Sequence, residues 1–429
     1  MAPLEAVLIG AGERGTFGVG AFALAHPQDL KFTAVAEPDA ARRERFAAWH
    51  GIPPERCFAT GTELLAQGRL APLCFIETLD RDHVEPGTRA MELGYDVFLE
   101  KPMAESPEKV LQLQATAEAT GRILQICHPL RYTPFYMRVK ELLGQGRIGA
   151  IRSLSMTESV GYWHYSHSYV RGNWRRQDES GPLILTKCCH DMDIAAWLAD
   201  DEVESVVSLG GRIHFREENA PAGAPARCLD GCPAEETCAF FAPRMYLGAR
   251  TGWPVSVIST DSSLEARRRA LEQGPYGRCV YHCDNDVADH QSVSARFRGG
   301  AVLDFTVRAN SHDCYRTIRI AGSEGELAGH LERNEITVRR FTAGIPEEEY
   351  RVEVHRPFIE AGGHSGGDTG VARHFVDLVR RGDRASAARS LAIAVEGHLL
   401  AFAAEEARAT GSAMDMTTFR SNATKASGV

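Results

Sequence analysis

The sequence predicts an α/β protein in two parts. The first is an N-terminal Rossmann-type, doubly wound parallel sheet over residues 1–128. The second is a C-terminal α+β domain over 129–429, built on a large, open, mostly antiparallel sheet. Three observations carry this. A glycine turn closes the first apolar run in "AVLIGAGERGTFG" (6–18). Strand-like runs then alternate with amphipathic helical stretches, as a parallel sheet requires. From about residue 129 the texture changes to apolar–polar alternation between turn signals.

In order along the chain, "EAVLIGAG" reads as a buried strand ending in the turn. Gly10, Gly12 and Gly15 fit G-x-G-x-x-G: a tight turn, room for a pyrophosphate, and close helix–strand packing, with Glu13 and Arg14 inside it. "TFGVGAFALAHP" is the helix expected next. "KFTAVAEPDAARRERFAAWHG" gives a second strand ending at Glu37, then a helix. An acidic residue about 20 residues beyond the turn suits a ribose 2′-hydroxyl and repels a 2′-phosphate. NAD is therefore favoured, while Arg42 and Arg43 keep NADP open. Further strands are "PLCFIET", "DVFLEKP" and "ILQICH". "TLDRDH" (78–83) and "EKP" (100–102) fall at strand C-terminal ends, where such sheets bind ligands. Thr78, Asp80, His83, Glu100 and Lys101 are thus cofactor-site candidates.

In the second part, "IRSLSMTESVGYW", "VESVVSLGGRIHF", "HQSVSARFRGGAVLDFTVRA", "YRTIRIAGSEGELAGHL" and "NEITVRRF" read as strands. "GPLILTKCCHDMDIAAWLAD" (181–200), "GGDTGVARHFVDLVRRGD" and "SLAIAVEGHLLAFAAEEARATG" read as helices. The stretch 158–182, "ESVGYWHYSHSYVRGNWRRQDESGP", is too polar for core. Its aromatic faces suit sugar rings, and its Arg and Asn donors suit hydroxyls or an anion. His164, His167, Arg171, Asn173, Trp174 and Arg175 are substrate-pocket candidates; the competing reading is an arm packed on another subunit.

An insert at about 220–285 carries Cys228, Cys232, Cys238, Cys279 and Cys283. Thiolates in one loop-rich region suit a structural zinc on Cys228, Cys232, Cys238 and Cys279, or an iron–sulfur cluster on the same ligands. Free thiols are the plain alternative.

The net charge of −9 argues against a nucleic-acid binder. The N-terminus lacks a basic n-region, and no apolar stretch approaches the roughly 20 residues of a membrane span, so a cytoplasmic protein is expected.

The glycine turn, Glu37-Pro38, "TLDRDH" and "EKP" together resemble the Gfo/Idh/MocA oxidoreductase family, over nearly the whole chain. The resemblance implies that Lys101 points into the nicotinamide pocket and meets the substrate hydroxyl. Pro102 fixes the turn, commonly with a cis bond. It places His128 and Arg131-Tyr132 where the family crosses between its two domains, with His128 reaching the substrate cleft. It also implies a substrate-site helix with an Asp four residues before a His. His190 matches that His, and Asp193 follows at the usual distance, but Thr186 stands at the Asp position with Lys187 beside it. Threonine orients an imidazole without stabilising its charge. Either Asp191 or Asp193 supplies the acid, or Lys187 joins the proton chemistry. The activity implied is NAD-dependent hydride transfer from a secondary alcohol of a sugar, cyclitol or polyol. Rivals are a redox-assisted, NAD-using glycoside hydrolase and a non-catalytic ligand sensor. Homo-oligomers (dimer or tetramer) through the open sheet are implied as well.

Overall fold

A computed structural model describes residues 2–343, 352–359 and 363–428. The first sheet comprises β1 (Leu4–Ile9), β2 (Leu30–Ala36), β3 (Cys57–Phe58), β4 (Leu73–Ile76), β5 (Asp96–Leu99) and β6 (Leu124–Ile126). They are all parallel, in the order β3-β2-β1-β4-β5-β6. Helices Ala40–His50, Val84–Glu92 and Pro107–Thr120 cross between strands and cover both faces. That is why β4 and β5 are buried at every position and read as continuous apolar runs.

The second sheet has nine strands: β7 (Ile151–Gly161), β8 (Val203–Gly211), β9 (His290–Phe297), β10 (Val302–Ser311), β11 (Tyr315–Gly322), β12 (Gly325–His330), β13 (Glu335–Arg340), β14 (Glu353–His355) and β15 (Met414–Asp415). Their order is β14-β13-β12-β11-β7-β10-β9-β8-β15. Only the β7–β10 pair is parallel. Burial alternates along β9 and β10, so one face meets the core and the other is open.

Three helices differ from the sequence reading, and the short strands β3, β14 and β15 had no counterpart in it. The helix after the glycine turn begins as a π-helical segment, Gly15–Gly20, before α-helix Ala21–Ala25. A Cβ on Gly15 would stand 2.0 Å from the Gly10 carbonyl oxygen, so the segment is pressed onto the turn. The expected helix 181–200 is two pieces, Leu183–Thr186 and Cys189–Ala199, broken at Lys187-Cys188. Finally, Arg384–Thr410 is one 27-residue helix, long and apolar enough by length and composition to cross a membrane. It reached that length through residues the apolar-run count passed over, and it packs against Cys189–Ala199, β8 and Pro107–Thr120 as a core helix.

The chain also returns to the first sheet. Helix Gly367–Arg381 buries Val371, Phe375 and Leu378 beneath β1, β4 and β5, where Phe375 meets Phe75 edge-on at 5.5 Å. This places the start of that helix beside the glycine turn.

Candidate functional site

A cavity of about 1270 Å³ runs from the glycine turn, across the C-terminal strand ends, to the insert. Its cofactor side is built from backbone. Gly10 has φ +96°, and a Cβ there would lie 2.6 Å from the Glu77 carbonyl oxygen. Gly12 faces nothing within 4 Å, which leaves the space a phosphate needs beside the turn's amides. Glu37, just past β2, accepts from Ala11 N at 2.8 Å and Asp39 N at 3.0 Å, so its carboxylate is fixed at the cavity edge. This donor and acceptor set fits a dinucleotide.

Arg14 sits at the junction of three elements. It donates to Glu100 Oε1 at 2.6 Å and takes both Asp368 oxygens at 3.0 Å. Burial opposes ionisation of Asp368, but His364 and Arg14 hold its carboxyl well below the usual range. Against the same desolvation, Arg14 and Lys101 keep Glu100 below its ordinary value. Neighbouring Glu77 has no such partner: both its carboxyl oxygens are buried and unbonded, and burial and then Glu100 push it well up.

Lys101 follows β5 in a cis Lys101-Pro102 peptide. The helix break at Lys187-Cys188 explains its placement. The Thr186 carbonyl, which a continuous helix would spend on the His190 amide, instead accepts Lys101 Nζ at 2.8 Å. The ammonium also lies 6.0 Å from the Trp174 ring centre, and Trp174 donates Nε1–H to Asp80 Oδ2 at 3.1 Å. Lys101, from the first sheet, and His190, from the second part, thus line one space. Burial, then Lys101 and His128, drive the His190 imidazole well below its ordinary pKa, so it is neutral.

The acids considered for His190 are engaged elsewhere. Asp191 pairs with Arg316 at 2.8 Å, and Asp193 holds Arg131 through both oxygens. Lys187 lines the cavity but pairs with Glu158 at 3.4 Å. Burial raises Glu158 to about 7, against Arg316 and Lys187.

Of the other sequence candidates, Glu13, Thr78, Asp80, Glu100, His164, His167, Asn173 and Trp174 line the cavity. The structure puts several elsewhere. His83 is buried under the turn, with Nδ1 2.7 Å from the Pro102 oxygen, and orders "EKP" rather than facing a ligand. Arg171 is fully buried, tied to the Arg278 and Phe240 carbonyls, so it anchors the insert. Arg175 pairs with Asp284 at 3.0 Å on the insert's edge. Gly15, Thr186, Asp191 and His128 lie behind the lining. Cys228, Cys232, Cys238 and Cys279 stay within the insert, where Cys228 N and Cys279 N bond the facing strand at 2.9 Å each. Among the described residues their sulfurs do not gather three within 4.8 Å; the one group that does is His128, Cys189 and His190.

The lining also holds residues that sequence reasoning missed. Trp253 and Tyr276 reach in from the insert, with Trp253 edge-on to His164 at 4.9 Å and Tyr276 stacked on His167 at 4.8 Å. His364 comes from the glycine-rich lead into helix Gly367–Arg381 and Asp368 from that helix's first turn; the glycine cluster was the only signal available.

Comparisons with known proteins agree with this architecture. The family described as "Oxidoreductase family, NAD-binding Rossmann fold" matches residues 4–128, and the "GFO/IDH/MocA C-terminal domain" matches 136–328. The chain is 26% identical over 307 residues to the putative oxidoreductase YteT of Bacillus subtilis, covering 67% of this chain and 68% of that one. It is also 26% identical over 216 residues to an inositol 2-dehydrogenase of Rubrobacter xylanophilus, covering 47% of this chain and 55% of that relative. A levoglucosan dehydrogenase solved with NADH and L-sorbose superposes with a TM-score of 0.69 at 19% identity, over 97% of this chain and 99% of that one.

Proposed function

The chain belongs to the Gfo/Idh/MocA family of NAD-dependent oxidoreductases, and on that premise we propose that it oxidises a secondary alcohol of a sugar, cyclitol or related polyol. The observation that carries the reading is the meeting of Lys101, just past β5, and His190, on helix Cys189–Ala199 of the second part, in the cavity that begins at the glycine turn. The Gly10–Gly15 turn and Glu37 would hold NAD, which supplies the hydride acceptor when bound. Lys101 Nζ and the cavity-facing nitrogen of His190 bracket the reacting hydroxyl, and one of them takes its proton. Lys187, its charge balanced by Glu158, offers a further donor to the substrate. The ring faces of Trp174, Trp253 and Tyr276 suit the C–H faces of a pyranose or cyclitol. Relatives named for inositol and for 1,5-anhydro-D-fructose support that substrate class.

The open face of the second sheet exposes Val207 and Leu209, the latter 77% accessible, and an oligomer through that face is part of the proposal. Light scattering of Leu209→Glu against wild type tests it.

The activity test is a screen of sugars, cyclitols and aryl glycosides with NAD, following NADH absorbance and aglycone release together. NADH formed in proportion to product is the expected result. Aglycone release without net NADH would assign the redox-neutral hydrolase, and binding without turnover a sensor. NAD should bind more tightly than NADP in calorimetry, and Glu37→Ser should narrow the difference.

A further inference from the structure

Behind His190, on the side away from the cavity, three soft donors converge. His128 follows β6, and Cys189 and His190 open the helix that starts after the Lys187-Cys188 break. Their relative exposures are 2%, 0% and 5%, and their donor atoms all lie within 4.8 Å of one another. Neither His128 nitrogen has a hydrogen-bond partner, and neither has His190 Nδ1. Three orphaned imidazole nitrogens in one fully buried spot are unusual, because buried polar atoms are almost always satisfied. The two rings stand edge to face, their centres 5.7 Å apart.

We infer that His128, Cys189 and His190 hold one zinc-class divalent metal ion. Two imidazoles and a thiolate select a soft or borderline ion over magnesium or calcium. Zinc–nitrogen bonds of about 2.0–2.1 Å and a zinc–sulfur bond of about 2.3 Å require the donors to draw in by about 1 Å, within reach of small side-chain rotations. The Cys189 thiol gives up its proton to solvent as the metal binds, and a water completes the tetrahedron. An outer partner is already in place: Asp193 Oδ1 lies 3.5 Å from His128 Nε2. A carboxylate behind a ligating histidine fixes its tautomer, which leaves Nδ1 for the metal.

The assignment gives the Thr186 position a physical sense. No carboxylate touches His190, so a metal on Nδ1 does the orienting. The ring's proton is then confined to the cavity-facing Nε2, which donates to the substrate oxygen. On the dehydrogenase reading above, this leaves proton acceptance to Lys101. Metal binding itself stands apart from that reading and is measured apart from it.

The test is metal content of the full-length protein after equilibrium with Zn²⁺ and removal of loosely bound ion, together with the visible spectrum of the Co²⁺-loaded protein. Near one equivalent is expected, with a thiolate-to-cobalt charge-transfer band and tetrahedral d–d bands. Cys189→Ser should abolish the charge-transfer band, and His128→Asn should lower zinc occupancy at least about tenfold. NAD binding by calorimetry should persist in both, which shows that they fold. The double variant Cys228→Ser/Cys279→Ser should keep both metal and spectrum. Wild type that holds no zinc overturns the assignment, as does metal that disappears with Cys228 and Cys279 but not with Cys189. Should Cys189→Ser fail to fold, the wild-type cobalt spectrum decides: octahedral bands without thiolate charge transfer overturn the site. Loss of NAD binding in wild type would instead overturn the cofactor reading and leave the metal result standing.

Discussion

The two ends of the cavity are made in different ways. The cofactor end comes from the ends of four strands of one sheet, β1, β2, β4 and β5, and its chemistry is largely backbone: a left-handed Gly10, an open Gly12, a carboxylate fixed by amides. The end proposed to take substrate is assembled from side chains of four separated stretches: 164–174, 187–190, 253–276 and 364–368. A backbone device needs particular residues at fixed local spacing. A side-chain wall needs only that distant segments meet. The first kind is therefore rigid and recognisable, and the second can be rebuilt by changing an insert.

The largest effect that would break this comparison lies at its seam. Lys101→Ala should lower turnover by at least about 10²-fold, the scale of a positioned proton-transfer group, while NAD affinity stays unchanged. Steady-state kinetics with calorimetry checks this, and turnover within a few-fold of wild type would remove Lys101 from the chemistry. Next, Gly12→Val should weaken NAD binding at least about tenfold, or 1.4 kcal/mol. No atom lies within 4 Å of the new Cβ, so the melting temperature should hold. A variant that binds NAD normally would mean the phosphates lie elsewhere. Smaller still, Trp253→Ala should raise KM for the polyol several-fold, the worth of one aromatic contact, and leave NAD affinity alone. An unchanged KM would take the insert out of the substrate wall.

The last expected effect is on stability rather than on turnover or binding. Burial, then Arg171, lowers His167 to about 3; burial, then His128, lowers His398 to about 3. Both rings are neutral when folded and titrate near 6.5 when unfolded. Their contribution is thus complete above about pH 6.5 and is lost progressively as pH falls toward 3. Melting temperature should decline through that window, less steeply in His167→Phe. Equal slopes for variant and wild type would show that His167 is not the group concerned.

Legibility followed the same division. Five strands of the parallel sheet, the glycine turn and Glu37 could be read because local spacing and periodicity encode them, and "EKP" through its resemblance to the family; the two-residue β3 is too short to leave such a pattern. The break at Lys187-Cys188 could not: past its opening Gly181-Pro182, "GPLILTKCCHDMDIAAWLAD" has no Gly or Pro to mark it, and what favours the break is Lys101 arriving from the end of the first sheet to take the Thr186 carbonyl. Arg171 was misjudged for a related reason. An arginine beside aromatics looks like a ligand donor until the Arg278 and Phe240 carbonyls are seen to use it inside the insert. Trp253, Tyr276 and His364 carry no local mark of their distant neighbours.

By itself the sequence determined the two-sheet architecture and the nucleotide turn, and its family resemblance singled out the lysine and histidine that line the cavity. Periodicity and glycine stereochemistry act over a few residues, and they survive without knowledge of the fold. Only tertiary structure decided which charges are spent on one another: Arg14 with Glu100 and Asp368, Asp191 with Arg316, Asp193 with Arg131. It alone brought His128, Cys189 and His190 together with both His128 nitrogens and His190 Nδ1 lacking a hydrogen-bond partner. Pairing of buried polar groups depends on distances between segments far apart in the chain, and those distances exist only once both sheets have closed around the cavity.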